Sequence, residues 1–180
     1  MKKLFALMLA LCLMLGVALA EEEAPQLNWA DVLAENPALE ENGTYQQITF
    51  AGTDAKLIYW VPNDLPALDV STITGSPVAA FGAMDPEDGQ VYYMAVYALD
   101  VNYQDYAADQ QTKGADLEKA QLVITNGIQV ISLENPVEDI DMAIAPATDN
   151  LTLVFAFYPL NNVLWDEVKG YIVSSIQLAQ

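Results

Sequence analysis

Gln121-Leu122-Val123-Ile124-Thr125-Asn126-Gly127-Ile128-Gln129-Val130-Ile131-Ser132-Leu133 is the stretch that decides the fold. Two runs rich in β-branched and aliphatic residues flank Asn126-Gly127, a pair that tolerates positive φ at both central positions of a two-residue hairpin turn. Strands joined so tightly must be antiparallel. Downstream the strand pattern repeats at 140–145 and 151–158. In the last of these runs Leu151, Leu153, Phe155 and Phe157 share one face, and Thr152, Val154, Ala156 and Tyr158 share the other. Asn161 or Asn162 is placed to cap a closing helix. There Asp166 and Glu167 favour the positive N-terminal dipole, and Trp165, Val168, Ile172 and Ile176 form an apolar stripe.

Upstream, residues 78–84 and 90–99 read as a second hairpin around Asp85-Pro86-Glu87-Asp88-Gly89, where proline presets φ and glycine permits φ > 0. The 90–99 run is apolar on both faces. Tyr92, Met94 and Val96 point one way and Val91, Tyr93, Ala95, Tyr97 and Leu99 the other, so the strand needs cover on both sides. Asn102, with Asp105 three residues on, opens a helix that Lys113 and Gly114 close. Nearer the start, Asn28 caps a short helix through Trp29, Val32 and Leu33 that Asn36-Pro37 ends. Runs at 45–51 and 56–61, separated by Gly52-Thr53-Asp54, predict a further hairpin. The expected fold is α+β: one antiparallel sheet with helices packed on its faces, an α/β/α sandwich.

Residues 1–20 have the form of an export signal. Lys2 and Lys3 precede the apolar run 4–16, and Ala18-Leu19-Ala20 supplies the small-x-small pattern before Glu21. The expected organisation is therefore a signal peptide at 1–20, a flexible acidic leader at 21–26 and a single domain at 27–180, secreted and not inserted in a membrane once cleaved. The one cysteine, Cys12, lies inside the signal, so a cleaved chain has no internal disulfide. The remaining 160 or so residues are enough to bury about 70% of the unfolded surface in one core.

Composition excludes more than it assigns. After residue 20 the chain has no histidine, arginine or cysteine. Its 25 acidic residues face four lysines (Lys56, Lys113, Lys119, Lys169), a formal charge of −21, four minus 25. The imidazole and thiolate that carry most nucleophilic and general-base work are absent, and nucleic acid is excluded as a partner because its affinity rests on cationic contacts. Screening this charge with moderate salt is expected to raise the melting temperature. No glycine-rich phosphate loop and no Ser-x-x-Lys arrangement occurs, and no cofactor is expected.

Several residues can still carry chemistry. Glu138, Asp139 and Asp141 cluster as a glycosidase would require, although such an enzyme needs two carboxyl groups about 5 Å or about 6.5–9.5 Å apart across a cleft, and a solvated turn is the plainer reading. Asp85, Glu87 and Asp88 offer oxygens for a weak calcium site. With Gly89 as the loop glycine, however, Met84 and Ala95 fall on the first and last ligand positions and break the EF-hand pattern. Tyr59, Trp60, Tyr92, Tyr93 and Tyr97 are candidates for a sugar-stacking platform, burial under a helix being their commoner fate. Asn42-Gly43-Thr44 and Asn150-Leu151-Thr152 match the glycosylation pattern, which is short enough to recur by chance.

The run from Ile124-Thr125-Asn126-Gly127-Ile128 through Phe155-Ala156-Phe157-Tyr158-Pro159-Leu160 to Ser174-Ser175-Ile176, with Asn28-Trp29-Ala30-Asp31-Val32 and Ile48-Thr49-Phe50, resembles small secreted domains of Gram-positive gut bacteria. Those domains in turn resemble the PsbP-like fold. The resemblance implies an adaptor or binding module without a catalytic set, partnered by a protein or polysaccharide of the extracellular space. Fold analogy alone assigns no chemistry. The alternatives are a carboxylate-based glycan hydrolase and a weak calcium-dependent extracellular module.

Overall fold

Three asparagines start three helices. The side-chain oxygens of Asn28, Asn102 and Asn162 accept from the backbone N–H two residues on, at 3.0, 2.9 and 2.9 Å. They open α1 (Trp29–Glu35), α2 (Tyr103–Thr112) and α3 (Val163–Ser174) by satisfying donors that a helix start leaves orphaned. At α2 the bond goes to Gln104 N, and Asp105 contributes as first-turn charge. The computed structural model describes residues 24–50, 56–84 and 89–179. The turns expected at 52–54 and 85–88 and the export signal expected at 1–20 lie outside these residues, as does the start of the expected leader.

Among the described residues ten strands accompany the helices: β1 (Gln26–Leu27), β2 (Gly43–Thr49), β3 (Lys56–Pro62), β4 (Ala79–Met84), β5 (Val91–Leu99), β6 (Gln121–Thr125), β7 (Ile128–Asn135), β8 (Ile140–Thr148), β9 (Leu151–Tyr158) and β10 (Gln177–Ala179). The chain is α+β, but the expectation of one antiparallel sheet needs correction. A seven-stranded sheet runs in the order β1-β6-β7-β8-β9-β5-β4, and a separate three-stranded sheet in the order β10-β3-β2. The large sheet is mixed because β1 lies parallel to β6. A hairpin signal fixes the partner across its own turn and says nothing about which sheet the pair joins.

Alternation along β5, β7, β8 and β9 gives the large sheet two apolar faces. On one, Met94, Val96, Val130, Ala143, Phe155 and Phe157 are buried beneath β2–β3, α1 and α3. On the other, Leu133, Met142, Ile144, Val154 and Ala156 lie beneath α2. Each large side chain removed from water in this way is worth about 1.5–3 kcal/mol. The strand β5, apolar on both sides, thus receives the double cover that its sequence requires. No helix among the described residues is long and apolar enough to cross a membrane.

Asn126 joins the parts. It has φ +47° and Gly127 has φ +81°, as the two-residue turn demands. Its Oδ1 accepts from Trp29 N at 3.1 Å, and its Nδ2 donates to the carbonyls of Ser174 and Ile176. Nearby, Ser175 Oγ accepts from Trp60 N at 2.8 Å. The end of α3 is therefore held to both sheets, and β10 is delivered to the free edge of β3.

Candidate functional site

α2 packs across β7, β8 and β9, with the β4–β5 end of that sheet face beyond them. Tyr93 and Tyr158 stand there directly opposite each other on neighbouring strands. Their rings stack with centroids 4.6 Å apart and planes 14° from parallel. Gly82 is opposite Tyr93 on the other side, and a Cβ there would press into the Tyr93 side chain, so the small residue seats the ring. Beyond it, the cross-strand pair Met84 and Val91 is 63% and 51% exposed and extends the apolar area toward the sheet end.

Tyr97, two places on from Ala95, closes the group from within. Its hydroxyl donates to Thr74 O at 3.1 Å and accepts a bond from the Tyr158 hydroxyl. Gly75, at φ +85°, lets the 74–76 loop lie against the Tyr97 ring. Tyr106 on α2 completes a set of four half-buried phenols. Burial, then Glu138, Tyr97 and Asp109, push the Tyr106 hydroxyl up to about 12. Burial, then the neighbouring phenols, raise Tyr158 further above the ordinary tyrosine range, and burial followed by Tyr97 raises Tyr93. All four remain protonated at neutral pH. The result is a wide aromatic surface edged by hydroxyl groups and by carboxylates.

The structure divides the aromatic residues read from the sequence. Tyr93 and Tyr97 share the open face. Tyr59 and Trp60, adjacent on β3, are both core residues because β3 is covered on both sides. Tyr59 packs edge-on to Phe155 at 5.2 Å, and its buried hydroxyl has no partner among the described residues. Trp60 turns the other way against Trp29 and donates to Leu39 O at 2.9 Å. Tyr92 lies beneath α3 against Trp165. Tyr106 and Tyr158 are site residues that sequence reasoning missed. Alternation places Tyr158 on the right face of β9, but only the β5–β9 register brings it to Tyr93.

The acidic candidates do not come together. Glu138 and Asp139 occupy an exposed turn, with Glu138 on the tyrosine side. Asp141 points to the opposite face, under α3, where Lys169 pairs with it. The sheet therefore separates Glu138 from Asp141, and the two do not oppose each other across a cleft. Asp85, Glu87 and Asp88 lie outside the described residues. Among those described, no three acidic, cysteine or histidine side chains converge as metal ligands would. Comparison with known proteins finds no matching family model and no matching curated relative.

Proposed function

We propose that the chain is a secreted, non-catalytic binding domain that engages a polysaccharide of the extracellular space through the Tyr93–Tyr158 face. The observation that carries this reading is the stacked pair itself: a flat, half-exposed aromatic surface with hydroxyl groups beside it, beyond the strands on which α2 packs. Sugar rings present C–H surfaces to aromatic faces and hydroxyls to polar edges, and tyrosine offers both. The absence of histidine, arginine and cysteine after residue 20 supports binding over turnover, and the signal-like residues 1–20 support export. The resemblance to secreted PsbP-like domains, with their sheet between helices, accords with an adaptor role. No cofactor, nucleic acid or membrane insertion enters the reading.

The test is retention of the protein from residue 21 onward on insoluble polysaccharides, among them cellulose, chitin, starch and peptidoglycan. Tyr93→Ala and Tyr158→Ala, with unchanged melting temperature as the control for folding, are expected to lower retention on the preferred polymer by about tenfold, the loss of about 1.4 kcal/mol. Failure to bind any glycan, or retention unchanged in both variants, overturns the reading. Binding to a protein partner alone would reassign the face to protein recognition.

A further inference from the structure

On the other face of the sheet, between α3 and strands β6–β8, lies a cleft of about 310 Å³. That is the size range of small-molecule sites. Lys169 reaches into it from α3. Its ammonium donates to Ser132 Oγ at 2.8 Å on β7 and to the Asp141 carboxylate on β8, and all but about a fifth of the Lys169 and Asp141 side chains is buried. Two of the three ammonium protons are thereby committed, leaving one. The Ser132 hydroxyl, which accepts from Lys169, keeps its own proton to donate. Two donors therefore stand side by side on the cleft wall, and Asp141 holds the ammonium in place.

One helical turn before Lys169, Asp166 lines the same cleft, with the half-buried Leu27 and Val123 also in its lining. The lining thus brings together paired donors at Lys169 and Ser132, an acidic residue one helical turn away at Asp166, and apolar surface beside them. A bare anion meets two carboxylates and a chain of strong negative charge, and a bare ammonium meets Lys169. A molecule that carries both charges and is neutral overall satisfies Lys169 and Asp166 at once. We infer that this cleft binds a free aliphatic α-amino acid, its carboxylate on Lys169 and Ser132, its ammonium on Asp166 and its side chain on the surface of Leu27 and Val123. The site is independent of the tyrosine face and does not rest on glycan binding.

Calorimetry and thermal shift with L-leucine, isoamylamine and 4-methylpentanoate test it on the wild-type protein. L-Leucine at about ten times its Kd is expected to raise the melting temperature by mass action. The amine lacks the carboxylate and the acid lacks the ammonium, and each is expected to bind at least about tenfold more weakly. Ser132→Ala and Asp166→Asn should each reduce leucine affinity several-fold while the ligand-free melting temperature holds. No response to leucine at about 10 mM overturns the proposal, because a site that weak confers almost no stability. Equal binding of either single-charge analogue overturns it too, as does undiminished affinity in both variants. The analogue series uses the unaltered chain, so it decides between these outcomes even where a variant fails to fold.

Discussion

The Asn126 side-chain amide donates to the backbone carbonyl of Ile176 at 2.8 Å, tying the hairpin that opens the β6–β9 run to the residue just before the last strand. Two further bonds, to Ser174 O and from Trp29 N, make it a three-way junction at a positive φ. Asn126→Ala loses all three bonds and puts an alanine in left-handed geometry. At about 1 kcal/mol for each bond and about 1–2 kcal/mol for the backbone, a loss of about 4–5 kcal/mol is expected. Asn126→Gly relieves the backbone and keeps only the loss of bonds. Denaturant titration of the two variants separates the contributions, and equal losses would show that φ carries no cost here.

Trp165 is 3% exposed, packs edge-on to Phe157 and Tyr92, and donates to Tyr158 O at 2.8 Å. Trp165→Ala should destabilise by about 3–5 kcal/mol through the cavity and the abandoned carbonyl. Near 2–4 °C for each kcal/mol in a domain of this size, the melting temperature would fall by about 6–20 °C. A drop of only a degree or two would show that α3 contributes little to the core.

Burial holds the Asp141 carboxyl above its ordinary value even with the Lys169 ammonium beside it. Because the folded state binds that proton more tightly than the unfolded state, the group favours folding most when protonated, and this contribution is lost as pH rises through its folded value. Stability is therefore expected to increase as pH falls from neutral toward the ordinary carboxyl value of 3.8, with a shallower gain in Asp141→Asn. Lys169→Met alone, which leaves a carboxylate unpaired, should cost about 2–3 kcal/mol, the fully buried figure reduced for partial exposure. Lys169→Met combined with Asp141→Leu should recover most of it. A double variant as weak as the single one would show that the charge pair itself stabilises the fold.

Tyr106, pushed up to about 12, and Tyr158, raised by burial and its neighbours, keep their protons in the folded chain at a pH where an unfolded tyrosine has ionised. Their contribution to stability is complete below pH 10 and is lost as pH climbs toward 12. Absorbance titration of tyrosinate should show a late-ionising set, accompanied by a fall in stability over that interval. Tyr106→Phe removes one member and should make the fall less steep. A single titration centred on the ordinary tyrosine value would place these rings in open solvent.

Much of the fold could be read from the chain, because its signals are local. Asn126-Gly127, the alternation from Leu151 to Tyr158 and the three capping asparagines each act within a few residues. The two shortest strands left no such trace. Gln26–Leu27 and Gln177–Ala179 are strands only because β6 and β3 present free edges to them. The site was half visible for a similar reason. Alternation separates Tyr93 from Tyr92, but the register that seats Tyr158 against Tyr93 belongs to two strands at once. The grouping of Ser132, Asp141 and Lys169 comes from three distant segments, and nothing in their spacing reveals it.

Gln26 lies beside Ile124 and Gln177 beside Ile58, so each sheet gains an outer strand from one extremity of the described chain. Pairings of such long sequence separation close slowly, since chain entropy must be surrendered before any contact rewards it. The molecule consequently cannot mature from one end while the other is still being synthesised. A nascent chain held short of Gln177 should stay open to proteases at β3 and acquire resistance only upon release.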